Sequence, residues 1–246
     1  MRIAVVSDIH GNLAALEAVV ADFSKRPIDL IVNLGDNLSG PLLPRETASF
    51  LMAQHWIHLA GNHERQLLSS NPADRYASDS YALSQLGPTE LDWIATLQPR
   101  KELSAEVLLC HGTPASDVHY FLETVTSSGI RPANAQEINE RLGDDSHELV
   151  LCGHTHVPRA VRTSRGILIV NPGSVGLPAY DDMHPYPHKV ETGSPDARYA
   201  IVEKIASGWT AQLISVPYDH HAMADLARQR ERLDWEHALR YGYMPR

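Results

Sequence analysis

Short apolar runs recur along the whole chain and predict a series of β-strands. The early runs are apolar almost throughout, which is typical of strands covered on both faces rather than on one. The later runs are joined by short links, which favours antiparallel pairing between them. The runs interpreted as strands are 2–7, 29–34, 56–60, 106–110, 148–152, 166–171, 198–205 and 210–216.

Between these runs lie segments whose apolar residues recur at spacings of three and four, which predicts helices. Asn12 is suited to cap the first helix, and Gly143 is a usual stop for the fourth. Strand–helix alternation in the first half indicates βαβ units, so we predict an α/β fold in one domain over residues 1–246. A polar stretch rich in Pro and Gly at 177–197 predicts a long loop. The predicted helices are 12–23, 44–54, 88–97, 134–143 and a single C-terminal helix at about 219–241.

The charge of the chain limits the classes of partner. Its 246 residues include 21 basic and 30 acidic side chains, which gives a formal net charge of −9. Broad binding to nucleic acid or to an anionic membrane surface is driven by excess Lys and Arg, so this balance argues against both. A small substrate that carries phosphate stays compatible if bound cations supply positive charge locally. The oligomeric state is not determined by the sequence.

Cysteine content and apolar run length indicate the compartment. Only Cys110 and Cys152 occur, so we expect neither a disulfide framework nor a cysteine-based zinc site. We find no signal-peptide pattern and no apolar run near the ~18 residues that a membrane span requires. We therefore expect a cytoplasmic protein. The 14 histidines are a high count, and their placement carries the main clue.

A polar side chain that suits metal binding follows each of five predicted strands. Carboxyl ends of strands form the crevice where α/β sheets bind ligands, so we expect these side chains to converge. Imidazole, carboxylate and amide oxygen together suit Mn, Fe, Co, Ni or Zn. Even seven of the eight side chains named below are too many donors for one four-coordinate ion, and they suit two ions that share a bridging carboxylate. The residues are Asp8 and His10, Asp36, Asn62 and His63, His111, and His154 and His156.

Taken singly, each of these motifs has a simpler interpretation. His154 and His156 also fit a polar surface loop, and Asp8 and Asp36 also fit turn or cap positions. The five motifs in order, "DIH…GD…GNHE…H…GHTH", outweigh those readings because they resemble the signature of the calcineurin-like metallophosphoesterases. The resemblance extends from Asp8 to about Gly176, where "NPGSVGLP" is similar to the small bacterial phosphodiesterases of that superfamily.

This resemblance implies a fold, a metal centre and a reaction. The fold would be a four-layer α-β-β-α sandwich, with two mixed sheets flanked by helices and a dinuclear centre between them. Two divalent ions, with Mn the first choice, would activate a shared hydroxide to attack the phosphorus of a phosphodiester or small phosphate ester. By resemblance, Asp8, His10 and His156 bind one ion, Asn62, His111 and His154 bind the other, and Asp36 bridges them. His63 would be the general acid and not a ligand.

Three other functions fit the sequence less well than a metal-dependent phosphoesterase. Phosphoprotein phosphatases carry an Arg before "GNHE" and a "DRG" after "GD", whereas this chain has Ala60 and "NLSG" at those places. A nuclease would need a basic groove or a capping domain, and neither is evident. The retromer scaffold subunit has the same fold without the catalytic histidine, whereas His63 is present here. We expect substrate choice to lie in the loops 37–44, 64–80, 112–133 and 177–197, with Tyr180, Asp182 and His184 at the mouth of the site.

Overall fold

A computed structural model describes residues 1–246 and contains fourteen strands and eight α-helices. The strands are β1 (Arg2–Val6), β2 (Leu30–Asn33), β3 (Ile57–His58), β4 (Arg100–Ser104), β5 (Val107–Cys110), β6 (Glu123–Thr126), β7 (Gly129–Pro132), β8 (Leu149–Leu151), β9 (Arg159–Arg162), β10 (Leu168–Asn171), β11 (Ala179–Asp182), β12 (His188–Glu191), β13 (Ala197–Ile205) and β14 (Gly208–Val216). The helices are α1 (Leu13–Phe23), α2 (Pro44–Met52), α3 (Asn62–Leu68), α4 (Ala77–Gln85), α5 (Pro88–Ala95), α6 (Ala135–Leu142), α7 (His220–Gln229) and α8 (Leu233–Tyr241), with a 3₁₀ turn at Pro72–Asp74. None of the α-helices is both long and apolar enough to cross a membrane.

The strands form two mixed five-stranded sheets and two separate hairpins. In the first sheet, of order β14-β13-β1-β2-β3, the strands β1, β2 and β3 are parallel, and β13 and β14 are antiparallel additions. In the second sheet, of order β4-β5-β8-β10-β9, the three inner strands are parallel and both edge strands are antiparallel. The predicted change from parallel early strands to antiparallel late strands is confirmed in the first sheet.

Alternation along the strands places apolar side chains on both faces of each sheet. Ile3 and Val5 of β1 pack in a cluster that also contains Leu109 and Leu151 of the second sheet, so the two sheets face one another. Ala4 and Val6 point to the opposite face and pack with residues of α1. Because successive side chains of a strand point to opposite faces, one apolar run serves two cores. The predicted four-layer α-β-β-α sandwich is confirmed.

The outer face of the second sheet holds both cysteines. Cys110 and Cys152 are free and buried, in a cluster that includes Ile138 and Leu142 of α6. Burial raises the pKa of both thiols, so neither is a ready thiolate ligand or nucleophile. Their position explains why a small apolar residue is suitable at each strand end.

The single C-terminal helix predicted over 219–241 is wrong, because the segment forms the two helices α7 and α8. Glu231 lies between them with a φ of 60°, in the left-handed region where a helix cannot continue. The break allows α8 to pack back on α7, and it buries Trp235 and Leu239 against Leu177. The segment "RQRERL" contains no Gly or Pro, so nothing local indicates this turn.

The predicted long loop at 177–197 is also structured in part. Residues 179–191 form the β11–β12 hairpin, with Tyr180 opposite Val190. Its alternation of buried and exposed residues is short and is interrupted by prolines at the tip, which hides the strand pattern. Helices α3 and α4 and the strands β4, β6, β7 and β9 were likewise not predicted, because these segments are short or rich in polar residues.

Candidate metal centre

The eight predicted site residues follow five parallel strands of the two sheets: six lie in loops, and Asn62 and His63 begin α3. Each loop begins at the carboxyl end of β1, β2, β3, β5 or β8. Backbone hydrogen bonds tie the loops together: Asp8 N–H donates to Gly35 O at 3.0 Å, and Gly153 N–H donates to His111 O at 2.7 Å. The side chains thus converge between the sheets, on the edge that the sequence indicates.

The converging side chains form two adjacent groups whose potential ligand atoms lie within 4.8 Å of one another in each group. His111 Nε2 lies 3.0 Å from Asp36 Oδ2 and 3.9 Å from Asp8 Oδ1, so the two groups are neighbours. His154 and His156 fall in different groups although only Thr155 separates them. The groups are Asp8, His10 and His156, and Asp36, His111 and His154.

Backbone carbonyl groups fix the orientation of the histidine rings. Nδ1 of His10 lies 2.7 Å from Ser39 O, Nδ1 of His111 lies 2.8 Å from Leu34 O, and Nδ1 of His156 lies 2.8 Å from Leu177 O. An imidazole that donates Nδ1–H to a carbonyl keeps the Nε2 lone pair for another partner, which is the usual arrangement around a bound metal. In His154 the roles are reversed, because Nε2 lies 3.1 Å from Val118 O and Nδ1 stays available.

The backbone at the site adopts a conformation that L-residues rarely use. Six non-glycine residues in the chain have positive φ, and five of them are candidate ligands. A residue in the left-handed region costs free energy and persists only where the surrounding structure enforces it. Such outliers concentrate at functional sites. The five are Asp8, His10, Asp36, His154 and His156, with φ between 53° and 69°.

Two buried polar atoms at the site have no hydrogen-bond partner within the protein. Asn62 Nδ2 donates to Gln66 Oε1 at 3.3 Å, which leaves Asn62 Oδ1 buried and unpartnered. His111 Nε2 likewise accepts no hydrogen bond. Buried polar atoms are seldom left without a partner, because desolvation then goes uncompensated. A cation bound between these atoms would satisfy both, so the donor set fits a metal ion.

Two glycines allow other residues to approach the carboxylates closely. A Cβ atom at Gly61 would lie 2.8 Å from Asp36 Cγ, and a Cβ atom at Gly153 would lie 2.8 Å from Asp8 Oδ2. Any larger residue would therefore displace a candidate ligand. The turn itself is made by His154 and His156, which adopt left-handed conformations.

Glu64, which sequence reasoning missed, organises two of the loops. Its fully buried carboxylate accepts backbone N–H groups from Asp36 at 2.9 Å, Asn37 at 2.8 Å and Gly61 at 2.7 Å. A Glu three residues after a helix cap commonly reaches back to that cap, so "GNHE" contained a signal for this role. Asn12 is confirmed as a helix cap, since its side chain accepts from Ala15 N–H at 3.2 Å.

His63 lies beside the two groups and not within either. Its backbone N–H donates to Asp36 Oδ1 at 2.9 Å, and its ring is 5.4 Å from that of His10. Nδ1 lies 2.7 Å from Asp79 Oδ1, and Asp79 is completely buried on α4. Burial lowers the pKa of His63, but the carboxylates of Asp36 and Asp79 outweigh burial and raise that pKa to about 9. No sequence signal indicated Asp79, because α4 was not predicted.

The remaining titratable groups are shifted according to their neighbours. Burial, together with His156, lowers the pKa of His10 to about 3, and burial with His111 lowers that of His154 to about 4, so both imidazoles are neutral. Burial raises the pKa of Asp36, but the facing imidazoles of His111 and His63 hold it well below its usual range. His10, His154 and Asp36 are thus in the forms that bind cations, neutral imidazole and ionised carboxylate. Burial lowers the pKa of His111, but the carboxylates of Asp36 and Asp8 outweigh burial and raise that pKa to about 10, so His111 must release its proton when a cation binds.

A cavity of about 990 Å³ opens onto the two groups. The predicted mouth residues Tyr180, Asp182 and His184 all line it. Arg232 and Trp235 of the C-terminal segment also line it, and no sequence pattern indicated that they would. The ring of Trp235 stands 6.0 Å from that of His10, edge to face.

Comparison with known proteins identifies the family. A model of the calcineurin-like phosphoesterase superfamily domain matches residues 1–190. The chain belongs to this superfamily. The resemblance inferred from the motifs is thereby confirmed, and membership places the chain among the phosphoesterases, which are hydrolases.

Individual members of the superfamily are similar to this chain over most of their length. The phosphodiesterase YfcE of Escherichia coli is 30% identical over 184 residues, which are 72% of this chain and 81% of YfcE. The crystal structure of a metallophosphoesterase from Sphaerobacter thermophilus has a TM-score of 0.75 at 27% identity and covers 98% of this chain and 99% of its own. A hypothetical protein from Pyrococcus horikoshii shares the fold, with a TM-score of 0.74 at 18% identity, and covers 99% of each chain.

Proposed function

We propose that the protein is a dinuclear metal-dependent phosphoesterase that hydrolyses phosphodiesters or small phosphate esters. Asp8, His10 and His156 would hold one divalent ion, and Asn62, His111 and His154 would hold the other. Asp36 would bridge the ions, since its carboxylate lies against His111 and faces both groups. Family membership and the similarity to YfcE, a phosphodiesterase, support the reaction class.

The chemistry of the donor set supports a transition metal. Four imidazoles, two carboxylates and one amide oxygen suit Mn, Fe, Co, Ni or Zn, and the family resemblance makes Mn²⁺ the first choice. When bound, two such ions polarise the phosphate oxygens and lower the pKa of water, so that a nucleophile is available at neutral pH. The carbonyl groups behind His10, His111 and His156 keep their rings oriented for this task.

His63 would donate a proton to the leaving oxygen. As water oxygen bonds to phosphorus, the ester P–O bond breaks and the departing alkoxide takes the proton of His63. The carboxylates around His63 keep the imidazole protonated at neutral pH, which is the state that a general acid requires. Asp79 would act as a positioning residue, since its bond to Nδ1 at 2.7 Å directs Nε2 away from α4.

One observation carries the proposal: six candidate ligands meet in two neighbouring groups, and the buried atoms Asn62 Oδ1 and His111 Nε2 have no hydrogen-bond partner in the protein. The test uses protein stripped of metal with a chelator and assayed with bis-p-nitrophenyl phosphate. We expect hydrolysis only after Mn²⁺ or a similar ion is restored, at two ions per chain. Inactivity with a panel of phosphate esters, while the ions are demonstrably bound, would overturn the proposal.

A further inference from the structure

The cavity beside the metal centre is much larger than the reacting group requires. A phosphate fills only a small part of about 990 Å³, and the remaining space extends towards the β11–β12 hairpin and α8. Cavities of this size in proteins enclose organic ligands, and a few polar groups usually fix the orientation of the ligand. The walls of this outer part therefore carry information about the organic portion of the substrate.

The aromatic residues of the wall present their rings more than their hydroxyl groups. The hydroxyl oxygens of Tyr120 and Tyr180 lie 2.6 Å apart, and Tyr120 Oη lies 3.0 Å from His188 Nε2. Each ring also packs edge to face on a candidate ligand, Tyr120 on His154 and Tyr180 on His156. Because these hydroxyls are hydrogen-bonded to one another, a ligand beside them meets mainly aromatic carbon.

The rim of the cavity exposes apolar side chains to solvent. Tyr76 is 53% exposed, Val118 is 47% exposed and Met183 is 65% exposed, and all three line the cavity. They come from three separate segments of the chain. A rim of this kind around a concave site is typical of a surface that an apolar ligand covers.

The charged groups of the outer cavity disfavour additional negative charge. The lining contains two arginines, and both are already engaged. Arg232 donates to Asp234 Oδ1 at 3.0 Å and to Oδ2 at 2.6 Å, and Arg141 donates to the carbonyl groups of Phe121 and Glu123 at 3.0 and 2.7 Å. Outside the metal centre the lining also contains four carboxylates, those of Glu123, Asp181, Asp182 and Asp234. These four carboxylates outnumber the two arginines, so a second anionic group would meet more negative than positive charge there.

We infer that the outer cavity is a subsite for an uncharged aromatic or apolar ester group of the substrate. The inference rests on the proposed function, because it takes the metal centre as the place where the phosphate binds. It names a substrate class: phosphate esters whose organic portion is flat, apolar and without further negative charge. Substrates with several phosphates would be disfavoured by the carboxylates of the lining.

The test compares three phosphonates that share the group expected to bind the metals. Methylphosphonate, phenylphosphonate and 4-carboxyphenylphosphonate are titrated into the Mn²⁺-loaded protein by calorimetry and used as inhibitors of bis-p-nitrophenyl phosphate hydrolysis. We expect phenylphosphonate to bind at least about tenfold more tightly than methylphosphonate, because its ring is buried. The added carboxylate should weaken binding about fivefold relative to the phenyl compound.

A charge substitution at the rim checks that the preference arises in this cavity. Met183→Lys should reduce the difference in affinity between phenylphosphonate and 4-carboxyphenylphosphonate, because it adds a cation at an exposed position of the rim. Ile205→Lys is the matched control: Ile205 is 44% exposed at the end of β13 and does not line the cavity. The control should leave all three affinities unchanged.

The outcomes separate this inference from the proposed function. Hydrolysis together with equal affinity for all three phosphonates would overturn the subsite and leave the phosphoesterase assignment intact. Absence of hydrolysis would overturn the assignment, while the calorimetric affinities would still decide for or against the subsite. The subsite would also be overturned if Ile205→Lys changed the relative affinities of the phosphonates as much as Met183→Lys does.

Discussion

At the scale of single residues, the proposed catalysis depends on the pair of His63 and Asp79, because the candidate ligands alone account only for metal binding. Asp79 is buried, accepts the Tyr76 backbone N–H at 2.8 Å and contacts His63 Nδ1 at 2.7 Å. It is therefore held rigidly and fixes the imidazole in turn. Neither residue belongs to the two groups of candidate ligands.

Substitution of His63 should reduce turnover and leave metal binding intact. We expect His63→Gln to lower kcat by about 10²- to 10⁴-fold, the usual contribution of a general acid. Asp79→Asn should lower kcat less, by about tenfold. It should also move the alkaline limb of the pH–rate profile to lower pH, because a neutral amide stabilises imidazolium less well than a carboxylate does. Metal content, measured by elemental analysis, serves as the control for both variants. Unchanged turnover in His63→Gln would remove this residue from the reaction.

His58, which lies outside the candidate metal centre, makes the free energy of unfolding depend on pH. Burial lowers its pKa to about 4, since the ring lies between Trp56 and Trp93 and Nδ1 accepts from Asn33 at 3.2 Å. The folded protein disfavours the charged ring, so stability is lost as pH falls from about 6.5, the unfolded value, to about 4.

The loss attributable to His58 should reach about 3 kcal/mol at pH 4. Urea unfolding of metal-free wild type and His58→Gln between pH 7 and pH 4 measures it, and the difference between the two proteins isolates this residue. We expect the variant to lose less stability over that interval. Parallel curves for the two proteins would contradict the expectation.

At the scale of elements, the break between α7 and α8 brings the C-terminal segment to the cavity. Arg230 donates to Pro41 O at 2.7 Å, and its guanidinium packs over Tyr81 at 4.8 Å. These contacts hold the end of α7 against the loop after β2, and the left-handed Glu231 then redirects the chain. Trp235 reaches the metal centre only because of this turn.

Glycine at position 231 should relieve the backbone strain of that turn. We expect Glu231→Gly to raise the free energy of unfolding by up to about 1 kcal/mol, the cost of the left-handed conformation for an L-residue, less the added entropy of the unfolded chain. Arg228→Gly, in the last turn of α7, is the comparison and should lower stability by up to about 1 kcal/mol, because it places glycine in a helix and removes the contact with Glu236 at 3.7 Å. Chemical denaturation measures both, and a destabilised Glu231→Gly would show that its side chain matters more than its backbone.

At the scale of the molecule, the inner core and the metal centre both join the two sheets. Ile3 and Val5 of one sheet pack with Leu109 and Leu151 of the other, and candidate ligands come from both sheets. We therefore propose that residues 1–246 unfold as one domain.

Metal binding should stabilise the whole chain and not one half of it. Calorimetric unfolding should show a single transition whose midpoint rises when Mn²⁺ is added to chelator-treated protein. Ions at about 100 times their dissociation constant would add about 2.7 kcal/mol for each site. Asp36→Asn should largely abolish the rise, because Asp36 faces both groups. Two separate transitions, with only one of them sensitive to Mn²⁺, would contradict the single-domain proposal.

The sequence by itself determined the features that depend on short stretches of chain. Apolar runs marked eight of the ten strands of the two sheets. The residue types that follow five of these strands indicated a metal site, because parallel strands end at a common edge. The contact of Glu64 with Gly61, the cap of its own helix, was also predictable from the sequence, whereas its bonds to Asp36 and Asn37 are long-range.

Only the tertiary structure decided which distant segments complete the site. Asp79, Tyr120 and Trp235 reach it through the packing of α4, the β6–β7 region and α8, and no local pattern distinguishes them from other polar or aromatic residues. The resemblance assigned His154 and His156 of "GHTH" to different ions, and the structure adds the geometry: left-handed backbone at both histidines places their rings in separate groups. Conformations of this kind are unfavourable locally and exist because long-range contacts compensate for their cost.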